Sequence, residues 1–161
     1  MKPENVIHIS AYLKRKIGFK IPIRFVVVDD DDMLLKIWKR IFSTEKNCTF
    51  YLTTNPIDAL NEIKDRKTDF LITDLVMPRM DGIELAKESQ KISPKIQVFL
   101  TTGYLTHFQR IEPWQEKSQV LKKPYGDIEK VQSFIHHLID QRSPFEKNNC
   151  KKEGEIFVWS L

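Results

Sequence analysis

The stretch FVVVDDDDML, residues 25–34, places four consecutive aspartates directly after a run of Phe and Val. Two carboxylates about 4 Å apart repel each other by roughly 4 kcal/mol at an effective dielectric constant of about 20. Something must offset this repulsion, and its identity is a clue to function. The preceding run, residues 23–28, is short and almost wholly apolar, which is typical of a strand covered on both faces.

Short apolar runs alternate with helical patterns along the rest of the chain. Strands are predicted at residues 23–28, 49–53, 70–73, 96–100 and 119–121. Helical patterns cover residues 33–42, 56–63, 83–92, 107–117 and 127–141. The apolar positions of the first helix are Met33, Leu34, Ile37, Trp38, Ile41 and Phe42. Five β/α units indicate an α/β fold with a parallel sheet and helices on both faces. The right-handed crossover rule favours the flavodoxin-like, doubly wound strand order 2-1-3-4-5.

Reactive side chains stand where the predicted strands end. Asp29 and Asp30 follow the first strand, Asp74 the third, Thr102 the fourth and Lys123 the fifth. Because the carboxyl ends of parallel strands lie at one edge of the sheet, we expect these groups to surround one small space. Three carboxylates with carbonyl or water oxygens suit Mg²⁺, and such a cation would offset the repulsion between the aspartates.

A carboxylate beside a magnesium ion has a direct chemical use. It can attack phosphorus and form an acyl phosphate, which is a form of covalent catalysis. A phosphoryl group adds about −1.5 to −2 charges and three acceptor oxygens, which a neighbouring ammonium group and hydroxyl would hold. The residues alone therefore favour phosphoryl transfer to an aspartate.

Four motifs together resemble the receiver domains of response regulators in two-component signalling, of the chemotaxis-regulator type. The motifs are VVDD at residues 27–30, DLVMPRMDG at 74–82, TG at 102–103 and KKP at 122–124. Each motif is weak alone, but all four occur in order at predicted strand ends. The resemblance covers roughly residues 23–141 and implies a phosphoprotein that transmits signals.

The resemblance assigns roles to the matching residues. It implies that Asp74 accepts the phosphoryl group and that Asp29 and Asp30 form the metal-binding pair. Asp74 and the backbone carbonyl of Val76 would be further ligands of a Mg²⁺ or Mn²⁺ ion.

The resemblance also makes Thr102 the switch hydroxyl and Lys123 the lysine that pairs with the acceptor or its phosphoryl oxygens. Pro124 would follow through a cis peptide bond. One departure concerns Val120, which stands where family members often carry Tyr or Phe. A small aliphatic group cannot gate a pocket as a ring does, so the readout of phosphorylation is expected to differ.

Two positions bear on the lifetime of the phosphorylated state. Val76 and Tyr104 lie two residues beyond the acceptor and two beyond the switch hydroxyl, where side chains often tune hydrolysis in this family. An apolar side chain and a bulky ring offer little help to an attacking water. We therefore expect phosphorylated Asp74 to hydrolyse slowly.

The other aspartates have a structural interpretation. Asp31 and Asp32 open the first helix, where a carboxylate caps free N–H groups and interacts with the helix dipole by about 0.3–1 kcal/mol. Asn55 before Pro56 is predicted to be a second N-cap. Asp81 serves the turn that leads into the next helix.

Two flanking segments surround the predicted receiver domain, residues 23–141. The arm at residues 1–22 is basic and compatible with a short amphipathic helix, and the tail at residues 142–161 ends in the apolar EIFVWSL. We expect the arm to cover an edge of the domain or to bind a partner. The tail is expected to dock on the domain, to pair with a second chain or to be disordered. The tail is too short for an output domain, so a stand-alone receiver is expected.

Composition limits the class of protein and its surroundings. The chain has 161 residues, of which 41% are hydrophobic and 30% charged, as in an ordinary globular protein. Its net charge of +4 is concentrated near the N-terminus, a pattern that serves solubility or docking more often than nucleic-acid binding.

Cys48 and Cys150 are expected to be free thiols. No apolar run reaches the length of a membrane span and no secretion signal is evident, so we expect a cytoplasmic protein.

Three functions fit these features. The first is a receiver that takes its phosphoryl group from a sensor histidine kinase or a phosphotransfer protein. It would then switch a surface around the fourth and fifth units for a downstream protein target, as a monomer or as a dimer through these units or the tail. Because it would catalyse only its own phosphorylation and dephosphorylation, it is not expected to be an enzyme in the usual sense.

The two other functions use the same residues differently. A receiver-fold interaction module that is never phosphorylated would agree with the departure at Val120, but it would not need the complete set of acidic, hydroxyl and lysine residues. An aspartyl-phosphate phosphatase would use the Asp-x-Asp pattern at residues 29–31, but the chain has no room for a cap over a substrate.

Overall fold

The computed structural model describes residues 22–103, 118–123 and 128–142. The strands are β1 (Ile23–Val28), β2 (Cys48–Thr53), β3 (Phe70–Asp74), β4 (Gln97–Thr102) and β5 (Ser118–Lys122). The helices in these ranges are α1 (Asp32–Phe42), α2 (Pro56–Asp65), α3 (Gly82–Ile92) and α4 (Ile128–Arg142). None of these helices is long and apolar enough to cross a membrane.

Several predictions fall on other parts of the chain. The helical pattern at residues 107–117 and Pro124 lie outside the described residues. So do the N-terminal arm and the C-terminal tail, apart from their positions 22 and 142. The predicted boundaries of the receiver domain, 23–141, therefore stay predictions.

The five strands form one parallel sheet in the order β2-β1-β3-β4-β5. This confirms the predicted flavodoxin-like, doubly wound α/β fold. The strand order reverses between β1 and β3, so the carboxyl ends of these two strands flank the switch point where ligands bind in such sheets. In the register, Val28 lies beside Thr73 and Asp74 lies beside Thr101.

The sheet has a hydrophobic core on each face. Phe25 and Val27 of β1 pack with residues of α1 and α4, and Val26 and Val28 pack with residues of α2 and α3. These four side chains are at most 1% exposed. Burial on both faces explains why β1 is an almost continuous apolar run. It also fixes the position of the residues that follow β1.

At the start of α1, α2 and α3, a capping side chain accepts a hydrogen bond from a free backbone N–H of the first turn. Asp31 and Asn55 are the N-caps of α1 and α2, as predicted, and Asp81, which was predicted only to serve the turn, is the N-cap of α3. The backbone N–H groups that they accept are those of Met33 (2.8 Å), Ile57 (3.1 Å) and Glu84 (2.9 Å), respectively. Asp32 lies in the first turn of α1, where the helix dipole favours a carboxylate.

Candidate functional site

A cavity of about 290 Å³ lies at the carboxyl edge of the sheet. It is lined by Asp29, Asp30, Asp31, Leu34, Asp74, Val76, Thr102, Gly103 and Lys123. The six residues that were assigned to the site from the sequence are all among them. The predicted convergence of the strand ends is therefore observed.

Three carboxylates meet in this cavity. Asp29, Asp30 and Asp74 can each offer an oxygen such that the three oxygens lie within 4.8 Å of one another. Asp29 is buried, with 1% of its surface exposed, whereas Asp30 is exposed and Asp74 is half-buried. Charges of the same sign at this distance repel, and the repulsion is strongest for the carboxylate that is shielded from water.

The ammonium group of Lys123 lies between two of these carboxylates. Its Nζ donates a hydrogen bond to Oδ2 of Asp29 at 2.6 Å and pairs with Oδ2 of Asp74 at 3.1 Å. The side chains of Lys123, Asp29 and Asp74 are only 11%, 2% and 14% exposed. Ion pairs this sheltered are weakly screened by salt, and loss of one partner would leave a buried charge uncompensated. The backbone N–H of Lys123 donates to the carbonyl of Thr102 at 2.7 Å, which ties the lysine to the end of β4.

The environment of Asp29 disfavours its charged form. Burial raises the pKa of the Asp29 carboxyl above its ordinary value. Lys123 and a hydrogen bond from the backbone N–H of Asp31 to Oδ1 (3.1 Å) act in the opposite direction, while the charge of Asp74 adds a smaller upward effect. Burial is the largest of these influences, so one lysine does not fully compensate the carboxylate.

The remaining predicted residues occupy the cavity wall or the core beside it. Thr102 is the last residue of β4 and is 3% exposed. Val76 lines the cavity with a side chain that is 47% exposed, and the use of its carbonyl as a metal ligand stays a prediction. Val120 is 6% exposed and packs in the core with residues of α2 and α3. Tyr104 lies outside the described residues.

Backbone contacts fix the loop that follows Asp74. The N–H of Leu75 donates to the carbonyl of Thr101 at 2.9 Å, and the N–H of Gly82 donates to the carbonyl of Leu75 at 3.0 Å. A Cβ at Gly82 would overlap the carbonyl oxygen of Asp74, so α3 can begin this close to Asp74 only with glycine. Arg79 in the same loop has a φ of 73°, in the left-handed region that non-glycine residues rarely adopt.

Comparison with known proteins connects this fold and site to a family. The family model of the response regulator receiver domain matches residues 25–135. The chain belongs to this family. The response regulator receiver protein CpdR of Brucella abortus is 33% identical over 112 residues, which cover 64% of this chain and 90% of CpdR. The sporulation initiation phosphotransferase F of Bacillus subtilis is 27% identical over 125 residues, which cover 74% of this chain and 96% of the relative.

Solved receiver structures share the fold. A CheY-like response regulator receiver domain protein from Methanospirillum hungatei is 21% identical with a TM-score of 0.65, and the match covers 74% of this chain and 95% of that one. Other relatives are much longer than the matching region. This region spans 22% of the transcription factor SKN7 of Candida albicans and 54% of the response regulator MprA of Mycobacterium sp. strain KMS.

The donor set of this receiver domain fits Mg²⁺, which receiver domains generally bind. Mg²⁺ prefers carboxylate and other oxygen ligands and keeps several waters. The three carboxylates supply such oxygens, and the exposed Asp30 leaves one side of the site open to water. The incomplete compensation of Asp29 is a second reason why a divalent cation would be stabilised here.

Three lining residues were not assigned to the site from the sequence. In the receiver interpretation, Asp31 was only a helix cap, Leu34 only part of the apolar face of α1, and Gly103 only part of the TG motif. The position of Asp31 directly after the predicted metal pair could have indicated a backbone contact to Asp29. The requirement for glycine at position 82 depends on how close α3 comes to Asp74, which the sequence does not give.

We expect Gly82→Ala to lower the free energy of unfolding by about 1–3 kcal/mol, because forcing a methyl group into an occupied space strains its neighbours. The added Cβ would overlap the Asp74 carbonyl and lie 3.0 Å from Cα of Leu75. Gly103→Ala is the matched control, since the nearest described atom to a Cβ there is Cβ of Lys123 at 3.9 Å. Urea unfolding measures both variants, and equal stabilities would contradict this prediction.

Asp29 is expected to make the metal-free fold less stable as the pH rises. Its folded-state pKa lies above the ordinary aspartate value of about 4. Between these two pKa values the folded state binds more protons than the unfolded state, so stability falls as the pH rises through that window and stays lowered at neutral pH. Asp29→Asn removes this ionisation.

Urea unfolding in the presence of EDTA, from about pH 4 to about pH 8, measures this effect. The wild type is expected to lose more stability over the range than Asp29→Asn. If the free energies of unfolding of the two proteins change in parallel with pH, ionisation of Asp29 does not lower the stability of the fold.

Proposed function

We propose that this chain is a phosphorylation-driven switch in which Asp74 accepts a phosphoryl group in a Mg²⁺-dependent reaction. The observation that carries the proposal is the placement of Lys123 3.1 Å from the Asp74 carboxylate, in the cavity where Asp29 and Asp30 bring two further carboxylates close. The family supports it, and so does the similarity to the Bacillus subtilis relative, which is named a phosphotransferase.

The proposed reaction transfers a phosphoryl group from a phosphohistidine. The new bond joins a carboxylate oxygen of Asp74 to phosphorus. The bond that breaks joins phosphorus to an imidazole nitrogen of the donor, and this nitrogen keeps the electron pair and takes up a proton from water. The product is an acyl phosphate on Asp74, so no oxidant or reductant is needed.

The residues of the cavity have complementary roles in this step. The ammonium group of Lys123 would move from its pairing with the carboxylates to the incoming phosphoryl oxygens, and the Thr102 hydroxyl would donate to another of them. Held by Asp29, Asp30, Asp74 and the carbonyl of Val76, Mg²⁺ would supply positive charge that offsets the negative charge of the acceptor and the phosphoryl group.

The partners follow from the same chemistry. We propose a sensor histidine kinase or a phosphotransfer protein as the donor and a protein target as the receiver of the signal, with the protein acting in the cytoplasm. The chain would act on its own Asp74 and would not turn over a separate substrate, so we class it as a signalling protein. The proposal concerns the receiver unit itself and needs no attached output domain.

The readout is proposed to lie around the ends of β4 and β5. Thr102 and Lys123 are at these ends, and both would change their contacts when Asp74 is phosphorylated. Because position 120 is a buried valine, we favour a readout that does not depend on a swinging aromatic ring. The presence of valine at this position also favours the second candidate, an interaction module that is never phosphorylated.

Phosphorylation at Asp74 is tested with acetyl phosphate and Mg²⁺. We expect the wild type to gain one phosphoryl group, detected by intact-protein mass spectrometry, and Asp74→Asn to gain none because an amide is a far weaker nucleophile. Asp81→Asn is the matched control, since it removes a carboxylate from the same loop and retains a side-chain oxygen for the N-cap. Absence of labelling in the wild type, together with absence of Mg²⁺ binding, would favour the interaction module.

The lifetime of phosphorylated Asp74 is a separate prediction. Since the apolar Val76 cannot orient an attacking water, we expect the phosphorylated protein to persist well beyond seconds in Mg²⁺. We also expect Val76→Asn, which adds hydrogen-bonding groups at the exposed cavity rim, to shorten the lifetime several-fold. The decay after removal of acetyl phosphate measures both, and a wild-type lifetime of seconds would rule out slow hydrolysis.

A further inference from the structure

Asp31 is connected to its surroundings through both its backbone and its side chain. Its Oδ1 accepts the N–H of Met33 at 2.8 Å, and its carbonyl accepts the N–H groups of Leu34 and Leu35 at 3.1 and 3.2 Å. Its own N–H donates to Oδ1 of Asp29 at 3.1 Å. Asp31 therefore joins the first turn of α1 to the buried carboxylate of the cavity.

Within the part of the chain that the structure describes, the carboxylate of Asp29 accepts two hydrogen bonds from different parts of the fold. Its Oδ2 accepts from Lys123 at 2.6 Å and its Oδ1 accepts from the backbone of Asp31. The Asp29 side chain is 2% exposed, so water has little access to replace a lost donor. If Lys123 turns to a phosphoryl group, the Asp31 N–H is the contact that still fixes the carboxylate.

We propose that Asp31 is a positioning residue for the metal-binding carboxylate of Asp29, acting through its backbone N–H. The N-cap side chain of Asp31 holds that N–H in place. This inference rests on the proposed function, since it takes Asp29 to be a ligand of a divalent cation. Hydrogen bonds that orient a metal ligand typically change metal affinity by about 10–100-fold.

The carboxylate of Asp31 also lines the cavity, so its charge must be separated from its capping role. Asp31→Asn retains an oxygen that can cap α1 but removes the charge. Asp31→Ala removes both. If positioning is what matters, the two variants differ in metal affinity, whereas a pure charge effect weakens both alike.

Asn55 provides a matched control at the start of α2. Its Oδ1 accepts the N–H of Ile57 at 3.1 Å, and its own N–H donates to Oγ1 of Thr53 at 3.0 Å. The local geometry thus resembles that of Asp31, but Asn55 and Thr53 are not among the residues that line the cavity. Asn55→Ala removes a helix cap of the same kind without touching a predicted metal ligand.

Calorimetric titration of the full chain with Mg²⁺ gives the first result. We expect Asp31→Ala to weaken binding by about tenfold or more, and Asp31→Asn and Asn55→Ala to stay within about threefold of the wild type. Wild-type affinity in Asp31→Ala would overturn the inference, and so would equal weakening in Asp31→Ala and Asp31→Asn. In both cases phosphorylation of the wild type at Asp74 would leave the proposed function intact.

Hydrogen exchange of the metal-free protein in EDTA gives a result that does not need a bound ion. The backbone N–H at position 31 is expected to exchange about tenfold faster in Asp31→Ala and in Asp29→Ala than in the wild type, with little change in Asp31→Asn. An unchanged rate in Asp31→Ala would overturn the inference. If the wild type binds no Mg²⁺, the proposed metal role of Asp29 fails and the inference fails with it, whereas the exchange rates still test the contact itself.

Discussion

The ion pairs of Lys123 with Asp29 and Asp74 hold the carboxyl edge of the sheet in its observed form. In their absence, two sheltered carboxylates from different strands would face each other in a medium where repulsion is several times stronger than in water. Lys123 follows the edge strand β5, and Asp29 follows β1, with β3 and β4 lying between them in the sheet. The lysine therefore spans the cavity and connects the edge of the sheet to its centre.

Lys123 offsets the repulsion between the carboxylates only in part. The packing of the hydrophobic core holds the carboxylates in place despite the remaining repulsion. Lys123 pairs with Asp29 and Asp74, the carboxylate of Asp30 lies close to both, and burial still raises the pKa of the Asp29 carboxyl. Strand β1, which leads into Asp29, is anchored by Phe25. The ring centroid of Phe25 lies 5.0 Å from that of Phe42 and 4.9 Å from that of Phe70. Packing of this kind resists the outward movement that would relieve the repulsion. The acidic cavity thus fits a cation, and repulsion among its carboxylates would lower the stability of the metal-free fold.

The strands and the convergence of the residues at their ends could be predicted, because both depend on patterns that are local in the sequence. Buried strands are continuous apolar runs, and the chemistry follows directly at their ends. The interpretation of Met33 as part of an apolar face was wrong, since it is 64% exposed while Leu35 is buried. Periodicity gives the spacing of an apolar face but not which side of a short helix lies over the sheet. The 2.6 Å contact of Lys123 with Asp29 was also not predicted, because it depends on the path of the lysine side chain across the cavity, which the sequence does not give.

The buried Val120 of β5 affects how a change at the cavity could reach the rest of the fold, and it draws attention to the neighbouring strand β4. Val120 lies beside Leu100 in the register of β4 and β5, and a β-branched side chain packed in a core has little rotational freedom. Rotation of this side chain is therefore a poor way to transmit a change at the cavity, whereas the backbone of β4 is connected to the cavity directly. The carbonyls of Thr101 and Thr102 accept the N–H groups of Leu75 and Lys123 at 2.9 and 2.7 Å, so β4 contacts both the loop after the proposed acceptor and the lysine. A shift of either partner would act directly on β4. The backbone of this strand therefore offers a route for the proposed signal, which the aliphatic side chain of Val120 is poorly suited to carry.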